Sequence, residues 1–398
     1  MLLLKGGKIV VNDELIRRDI LIDSDKIIDI SYEINGDYPT IRVDDFLLTP
    51  GLVDVHVHLR EPGYEYKETI KSGTLSAAKG GVTTLVAMPN LNPIIDNEAS
   101  IKKELEIIKN DALVNVIPAS ALSISQNSKK LIDVDKMLLY TKIFSDDGKG
   151  FHNKCLLKKA LKWDKNIIIA SHAEDKKLKS SKESEIKCVE REIKLLKDSK
   201  VKYHFYHISC RESIGLIMKA KKLGFNLSFE VAPHHFSLCD EDIKNANYKM
   251  NPPLRSKSDM VSILEAFRCG YVDMIATDHA PHSEEEKDND YDKALNGIIG
   301  LETLFPLAYT KLVLTNIITI SKLLELLIYN PGKRFELPYN KLAIGEIANI
   351  ACFDINNKHE YRLEDIKSKS KNSPFIGQEL YGFNKCTIFK GKVIYKEV

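Results

Sequence analysis

The sequence has no excess of one charge. Its 58 basic and 56 acidic residues leave a formal +2 over 398 residues. A general nucleic-acid binder carries a basic excess or stripe, and the totals show none, so no nucleic-acid partner is expected. No apolar run approaches the roughly 18 to 20 residues that cross a bilayer, so no membrane partner is expected either. The opening Met1-Leu2-Leu3-Leu4-Lys5-Gly6-Gly7 turns polar too soon for a signal peptide. Seven cysteines stand singly with no CxxC pair, which indicates neither a disulfide framework nor a zinc knuckle. No GxGxxG or GxxxxGK turn follows the first barrel-type strand, which argues against a nucleotide-binding open sheet. Low-complexity tracts are missing too. What is present, 43% hydrophobic and 29% charged residues, is too apolar for a disordered chain. The length fits one barrel-sized domain plus a smaller appendage. A soluble, cytoplasmic protein is expected.

Short β-branched runs recur through the middle of the chain, at 52–58, 82–88, 113–119, 140–144, 167–172, 203–209, 226–231 and 272–278. Segments of helical period lie between them, among them 101–109, 154–163, 186–196, 213–223 and 259–267. Strands alternating with helices pair in parallel, and eight such units predict a closed (β/α)8 barrel of the TIM type. The ends differ. Residues 1–50 carry hairpin-like strands at 2–10, 16–22 and 26–30, and residues 344–398 carry another set. The segments 4–10 and 389–394 look alike. Neither end has enough apolar surface to fold alone, so a small β-sandwich built from both is expected, with 51–343 as the barrel.

Polar residues concentrate at the strand ends. The first strand reads Val53-Asp54-Val55-His56-Val57-His58. Period two sends Asp54, His56 and His58 to one face and the valines to the other. His56 and His58 then lie at the C-terminal mouth, where barrel active sites form, and neutral imidazole suits zinc. On its own an HxH pair more often marks two buried histidines bonded to backbone. Other strands end the same way, with Asp146-Asp147-Gly148, His172-Ala173-Glu174, His207 and Asp278-His279. Burying that many polar groups without a cation is expensive. Four histidines and two carboxylates exceed one mononuclear site and suit two metals. His234 and His235 read either as supports of the ligands or as packing. His152, His204 and His359 read as surface or core histidines, Cys210 as packed, and 283–288 as a solvated loop and helix start near the mouth.

With these motifs the sequence resembles the amidohydrolase superfamily and, within it, the dihydroorotases of the bacterial class I type. The resemblance covers nearly the whole chain. It rests on Pro50-Gly51-Leu52-Val53-Asp54-Val55-His56-Val57-His58-Leu59-Arg60-Glu61-Pro62-Gly63, Met88-Pro89-Asn90 and Phe144-Ser145-Asp146-Asp147-Gly148. It continues through Lys249-Met250-Asn251-Pro252-Pro253-Leu254-Arg255, Thr277-Asp278-His279-Ala280-Pro281-His282, Gly300-Leu301-Glu302-Thr303 and the 368–375 segment. The resemblance implies two zinc ions, with His56, His58 and Asp278 on the more buried one and His172 and His207 on the other. Asp147 would bridge them, in the place many relatives fill with a carboxylated lysine. It implies that Arg60, Asn90 and His282 bind a ring carboxylate, that Asn251 bonds the ring amide, and that backbone at Asn296 and Gly297 covers the ring. Asp278 would be the catalytic proton shuttle.

Two departures stand out. The ring loop reads Ala294-Leu295-Asn296-Gly297, where relatives more often carry a proline or an aromatic before the glycine. The stretch 175–207 is shorter than usual. The expected activity is reversible cyclisation of N-carbamoyl-L-aspartate to L-dihydroorotate in pyrimidine biosynthesis. Expected partners are that small-molecule substrate, a second copy in a homodimer, and aspartate transcarbamoylase. The alternatives are another cyclic amidase (dihydropyrimidinase, hydantoinase or allantoinase) and a non-catalytic transcarbamoylase scaffold. A scaffold of that kind loses metal ligands, and this chain keeps all six.

Overall fold

The computed structural model describes residues 1–178, 181–288 and 290–397. The strands are β1 (Leu2–Val11), β2 (Glu14–Asp23), β3 (Lys26–Ser31), β4 (Thr40–Arg42), β5 (Leu47–Pro50), β6 (Leu52–Val57), β7 (Val82–Ala87) and β8 (Asn115–Pro118). They continue with β9 (Ile143–Phe144), β10 (Ile168–Ser171), β11 (Lys202–Phe205), β12 (Leu227–Val231), β13 (Met274–Ile275), β14 (Ile350–Glu360), β15 (Glu379–Phe389) and β16 (Lys392–Lys396). Strands β6 to β8 pair in parallel, as do β9 to β13. Two parallel bridges, Ser120 to Phe144 and Val57 to His279, join these sheets at both edges and close an eight-stranded barrel.

Val53, Val86, Ile143, Ile168 and Met274 from five of those strands, with Ala119 and Tyr206 just past the ends of β8 and β11, pack in one lumen cluster with Phe335 and Leu337. A larger apolar layer lies between strands and helices, as expected for parallel strands buried on both faces. The helices start at caps the sequence supplies: Thr69, Asn97, Ser181 and Ser256 each accept a backbone N–H of the first turn of the helix that follows. No described helix is long and apolar enough to cross a membrane.

The termini form one eight-stranded sheet in the order β16-β15-β14-β5-β1-β2-β3, with β4 beside β1. Leu4, Ile20, Ile27 and Leu48 from one end share a core with Ile350, Cys352, Cys386 and Ile388 from the other. Both termini thus build the second layer together, as expected. The two look-alike segments do not occupy equivalent places. Residues 4–10 run within β1 through a bulge at Gly6, whereas 389–394 form the β15–β16 turn at Gly391.

Strands β9 and β13 keep only two residues each, because the chain leaves the ladder early to place the polar rim. The strict alternation expected along the first strand is also broken. Its register slips between Asp54 and Val57. Val53 and Val55 pack inside the lumen, and the extra residue turns His56 and His58 to the mouth.

Candidate active site

The C-terminal mouth gathers the expected ligand set. His56 Nε2 lies 3.4 Å from Asp147 Oδ1 and 3.3 Å from Asp278 Oδ1. His58 Nε2 is 3.3 Å from Asp147 Oδ2 and 3.1 Å from Asp278 Oδ1. On the other side, His172 Nδ1 is 3.4 Å from Asp147 Oδ1 and 2.8 Å from His207 Nε2. Donor atoms of His56, His58 and Asp147, and of Asp147, His172 and His207, each lie within 4.8 Å of one another. Asp147 therefore belongs to both groups, and Asp278 closes the first. All six side chains are buried.

The residues fit a cation. His56 Nε2 and Asp147 Oδ1 are buried without a hydrogen-bond partner, although they face one another. Burial opposes charge on His56, yet Asp147 and Asp278 hold it well above the usual imidazole range. His172, despite burial, is pushed up to about 10 by Asp147 and Glu174. Burial also works against the two carboxylates, which His56 and its neighbours nevertheless hold far below their ordinary range. Such a set attracts positive charge, and imidazole with carboxylate suits a divalent metal.

Asp146 is committed elsewhere. Its carboxylate accepts from the backbone N–H groups of Leu122 and Ser123 and from the Ser123 hydroxyl. That grip leaves Asp147 alone to face the rim. Lys142 pairs with Glu336, away from it. Three rim residues, Arg60, His207 and Asp278, have φ of +64°, +35° and +50°, a left-handed backbone that non-glycine residues hold only when their surroundings enforce it.

A column of polar groups supports the rim from inside the barrel. His56 Nδ1 meets Glu230 Oε1 at 2.8 Å, Glu230 Oε2 meets His204 Nε2 at 3.0 Å, and His204 Nδ1 meets Ser228 Oγ at 2.8 Å. His204 is thus a core histidine with a defined task. Glu230 escaped the sequence reading, although Ser228 and Glu230 share one face of an otherwise apolar strand. Asp54 does not point at the cluster. It accepts from Thr277 N and Oγ1 and so fixes the residue before Asp278. His234 and His235 are buried with their rings 4.3 Å apart, and His235 Nε2 contacts Pro252 O. His152 contacts Lys149 O, and His359 contacts Asp354. Cys210 is buried, and burial beside Glu185 pushes its thiol upward, away from reactivity.

Above the cluster opens a cavity of about 180 Å³. Arg60, Asn90, Asn251, His282, Asn296 and Gly297 all line it, together with His58, Asp147, His172, His207 and Asp278. Asn90 Oδ1 also meets His58 Nδ1 at 2.9 Å, and Asn251 Nδ2 lies 3.1 Å from His172 Nε2. Arg60 is buried, with Nε donating to Pro281 O and Nη2 3.4 Å from His282 Nε2. His282 Nε2 donates to Asn296 O, while its Nδ1 faces Lys67 and Glu286.

The acidic run is not simply solvated. Glu286 pairs with buried Lys67 at 2.8 Å, and Lys287 is buried. The 368–375 motif acts as a strap. Ser368 and Lys369 bind Glu68, Ser370 binds Lys67 O, and Asn372 binds His282 N, Ala280 O and Gly297 O. The stretch 175–207 carries the helix Lys182–Leu195, whose Glu185 clamps Ser209 and Cys210 just beyond His207.

A family model described as Dihydro-orotase-like matches residues 46–193. A dihydroorotase of Macrococcus caseolyticus is 40% identical over 420 aligned residues, which cover 99% of this chain and 98% of that one. A dihydroorotase of Fusobacterium nucleatum is 38% identical over 417, covering 99% and 98%. Among solved structures, an L-hydantoinase (dihydropyrimidinase) from Arthrobacter aurescens has a TM-score of 0.89 at 23% identity, covering 100% of this chain and 96% of that one. A dihydropyrimidinase from Brevibacillus agri reaches 0.87 at 20%, covering 99% and 95%. The structural likeness is one of fold, a TIM-type barrel with a terminal β-layer. The sequence likeness runs the whole length of both chains, and by it this chain belongs to the dihydroorotase family.

Proposed function

We propose that this protein interconverts L-dihydroorotate and N-carbamoyl-L-aspartate as a dihydroorotase of pyrimidine biosynthesis, with two zinc ions at the barrel mouth. His56, His58 and Asp278 would hold one ion and His172 and His207 the other, with Asp147 within reach of both. When bound, the ions supply Lewis acidity that brings water toward ionisation at neutral pH and polarises a carbonyl. Asp278 takes the proton of the attacking water and returns it to the ring nitrogen as the amide C–N bond opens. In the cyclising direction the same carboxylate removes the proton from the carbamoyl nitrogen and hands it to the departing hydroxide, which leaves as water. Asn251 and the backbone at Asn296 and Gly297 orient the ring amide. Glu230 keeps His56 aligned. Residues 51–343 form the catalytic barrel, and 1–50 with 344–398 form the second domain.

The observation that carries this reading is Arg60. Its guanidinium is buried at the cavity wall, and among the described residues no carboxylate lies within ion-pair distance of it. A buried cation facing a cavity calls for an anion, and the ring carboxylate of dihydroorotate supplies one in the planar geometry Arg matches. A dihydropyrimidinase substrate such as dihydrouracil has no such group. The test is kcat/KM for dihydroorotate and dihydrouracil in wild type and Arg60→Met. Loss of a charge-assisted contact of roughly 2–4 kcal/mol predicts a fall of about 30- to 700-fold for dihydroorotate, with little change for dihydrouracil. A wild type that prefers dihydrouracil overturns the reading in favour of a dihydropyrimidinase. The proposal includes a cytoplasmic location. The expected homodimer and the complex with aspartate transcarbamoylase are read by light scattering of the pure chain and of the mixture.

A further inference from the structure

Lys287 is 7% exposed and ends the short helix Glu284–Lys287 beside the cavity. Its Nζ donates to three backbone carbonyls: Lys249 O at 3.1 Å, Leu295 O at 3.0 Å and Gly297 O at 3.0 Å. Among the described residues no carboxylate lies within ion-pair distance of it. Burial, with Lys249 nearby, pulls the ammonium down to about 8, so it is still charged at pH 7. Burying a cation without a counter-ion is costly, and here three converging carbonyl dipoles offset that cost.

Those carbonyls belong to the backbone that walls the cavity. Gly297 N also donates to Lys249 O, so the two segments are tied twice. Asn251 follows Lys249 by two residues, and Asn251, Asn296 and Gly297 line the cavity. Gly297 has a φ of +142°, and a Cβ there would stand 2.7 Å from the Ala280 Cβ, so the segment has little room to shift. Lys287 is not among the cavity-lining residues. The preceding residue, Glu286, holds His282 and Lys67 at the Arg60 end. One short helix thus fastens both ends of the cavity.

Building on the proposed function, we infer that Lys287 is a positioning residue for the substrate ring: it sets the spacing between the Asn251 segment and the Asn296–Gly297 backbone. It touches neither the metal ligands nor the substrate. Its loss therefore weakens ring binding and leaves the metals and the chemical step in place.

The experiment measures kcat and KM for dihydroorotate, zinc content and melting temperature in wild type, Lys287→Met and Lys287→Arg. Misplacing a binding wall by about 1 Å predicts a KM raised roughly 10- to 100-fold in Lys287→Met, with kcat within about threefold and zinc unchanged. Lys287→Arg keeps the charge but not the compact three-way grip, and a KM between the other two is expected. It also carries the test if Lys287→Met does not fold. An active wild type with unchanged KM in the folded variants overturns this inference alone. So does loss of zinc in step with loss of kcat, which would make Lys287 a general prop of the fold. A zinc-loaded wild type inert toward dihydroorotate overturns the functional reading beneath it, and this inference with it.

Discussion

Asp278 shows how much one side chain is asked to do. Its Oδ1 lies 3.1 Å from His58 Nε2 and 3.3 Å from His56 Nε2, and its backbone is held left-handed by the Asp54–Thr277 grip just before it. In the proposed role of proton shuttle it would act chiefly in the transition state. Asp278→Asn is expected to lower kcat by about 10²- to 10⁴-fold, the usual worth of general acid–base catalysis, with a much smaller change in KM. Steady-state kinetics decide it, and a variant retaining more than a tenth of the rate contradicts the role. His282 is a second case. Burial, with Arg60 and Lys67 adding to it, pulls its imidazole down to about 3, so it is neutral at pH 7, with Nε2 donating to Asn296 O. Its folded value lies below its unfolded one, so the unfolded chain binds more protons between them. The stability tied to His282 is therefore full above pH 6.5 and is lost as pH falls toward 3. KM for dihydroorotate should show no inflection near pH 6.5. An inflection there that His282→Gln removes would contradict a neutral His282.

Among the elements, β6 and β12 carry the argument. The bulge in β6 sends two histidines to the rim, and β12 supplies the Glu230 that orients one of them. Removing that charge in Glu230→Gln is expected to weaken zinc binding about 10- to 100-fold while the barrel stays folded, measured by competition with a chelator. Unchanged affinity would leave the column without a role in ligation. The sequence made the strand centres legible, because runs such as 82–88 and 167–172 are apolar enough to be buried on both faces. It made the rim legible too, since histidines and carboxylates at strand ends have few other reasons to cluster. The β6 bulge was not legible, because Val53-Asp54-Val55-His56 alternates perfectly and only pairing with β7 exposes the extra residue. Nor were Glu286 and Lys287 legible. Within 283–288 they are indistinguishable from solvated charges until folding brings Lys67 and the Lys249 carbonyl from distant segments and turns back the loop that carries the Leu295 and Gly297 carbonyls. Asn372 is hidden for the same reason, as its partners lie some 75 to 92 residues away.

At the scale of the whole molecule, the rim is assembled from ends of β6, β10, β11 and β13 and the turn after β9, while a strap from the C-terminal segment holds the loops around it. The Val57–His279 bridge that closes the barrel lies on the rim itself, which brings two carboxylates and four imidazoles together in a buried space. Cations that bind there and not to the unfolded chain add stability by mass action, so chelated protein should melt at a lower temperature than zinc-loaded protein and recover on zinc addition. The most direct test of the central claim, a two-metal rim that opens the dihydroorotate ring, is to titrate metal-free protein with zinc and follow dihydroorotate hydrolysis. The account predicts that activity rises to a plateau at about two equivalents per chain, the stoichiometry of a two-metal hydrolytic site. A plateau at one equivalent, or no dihydroorotate turnover at any zinc level, would contradict it.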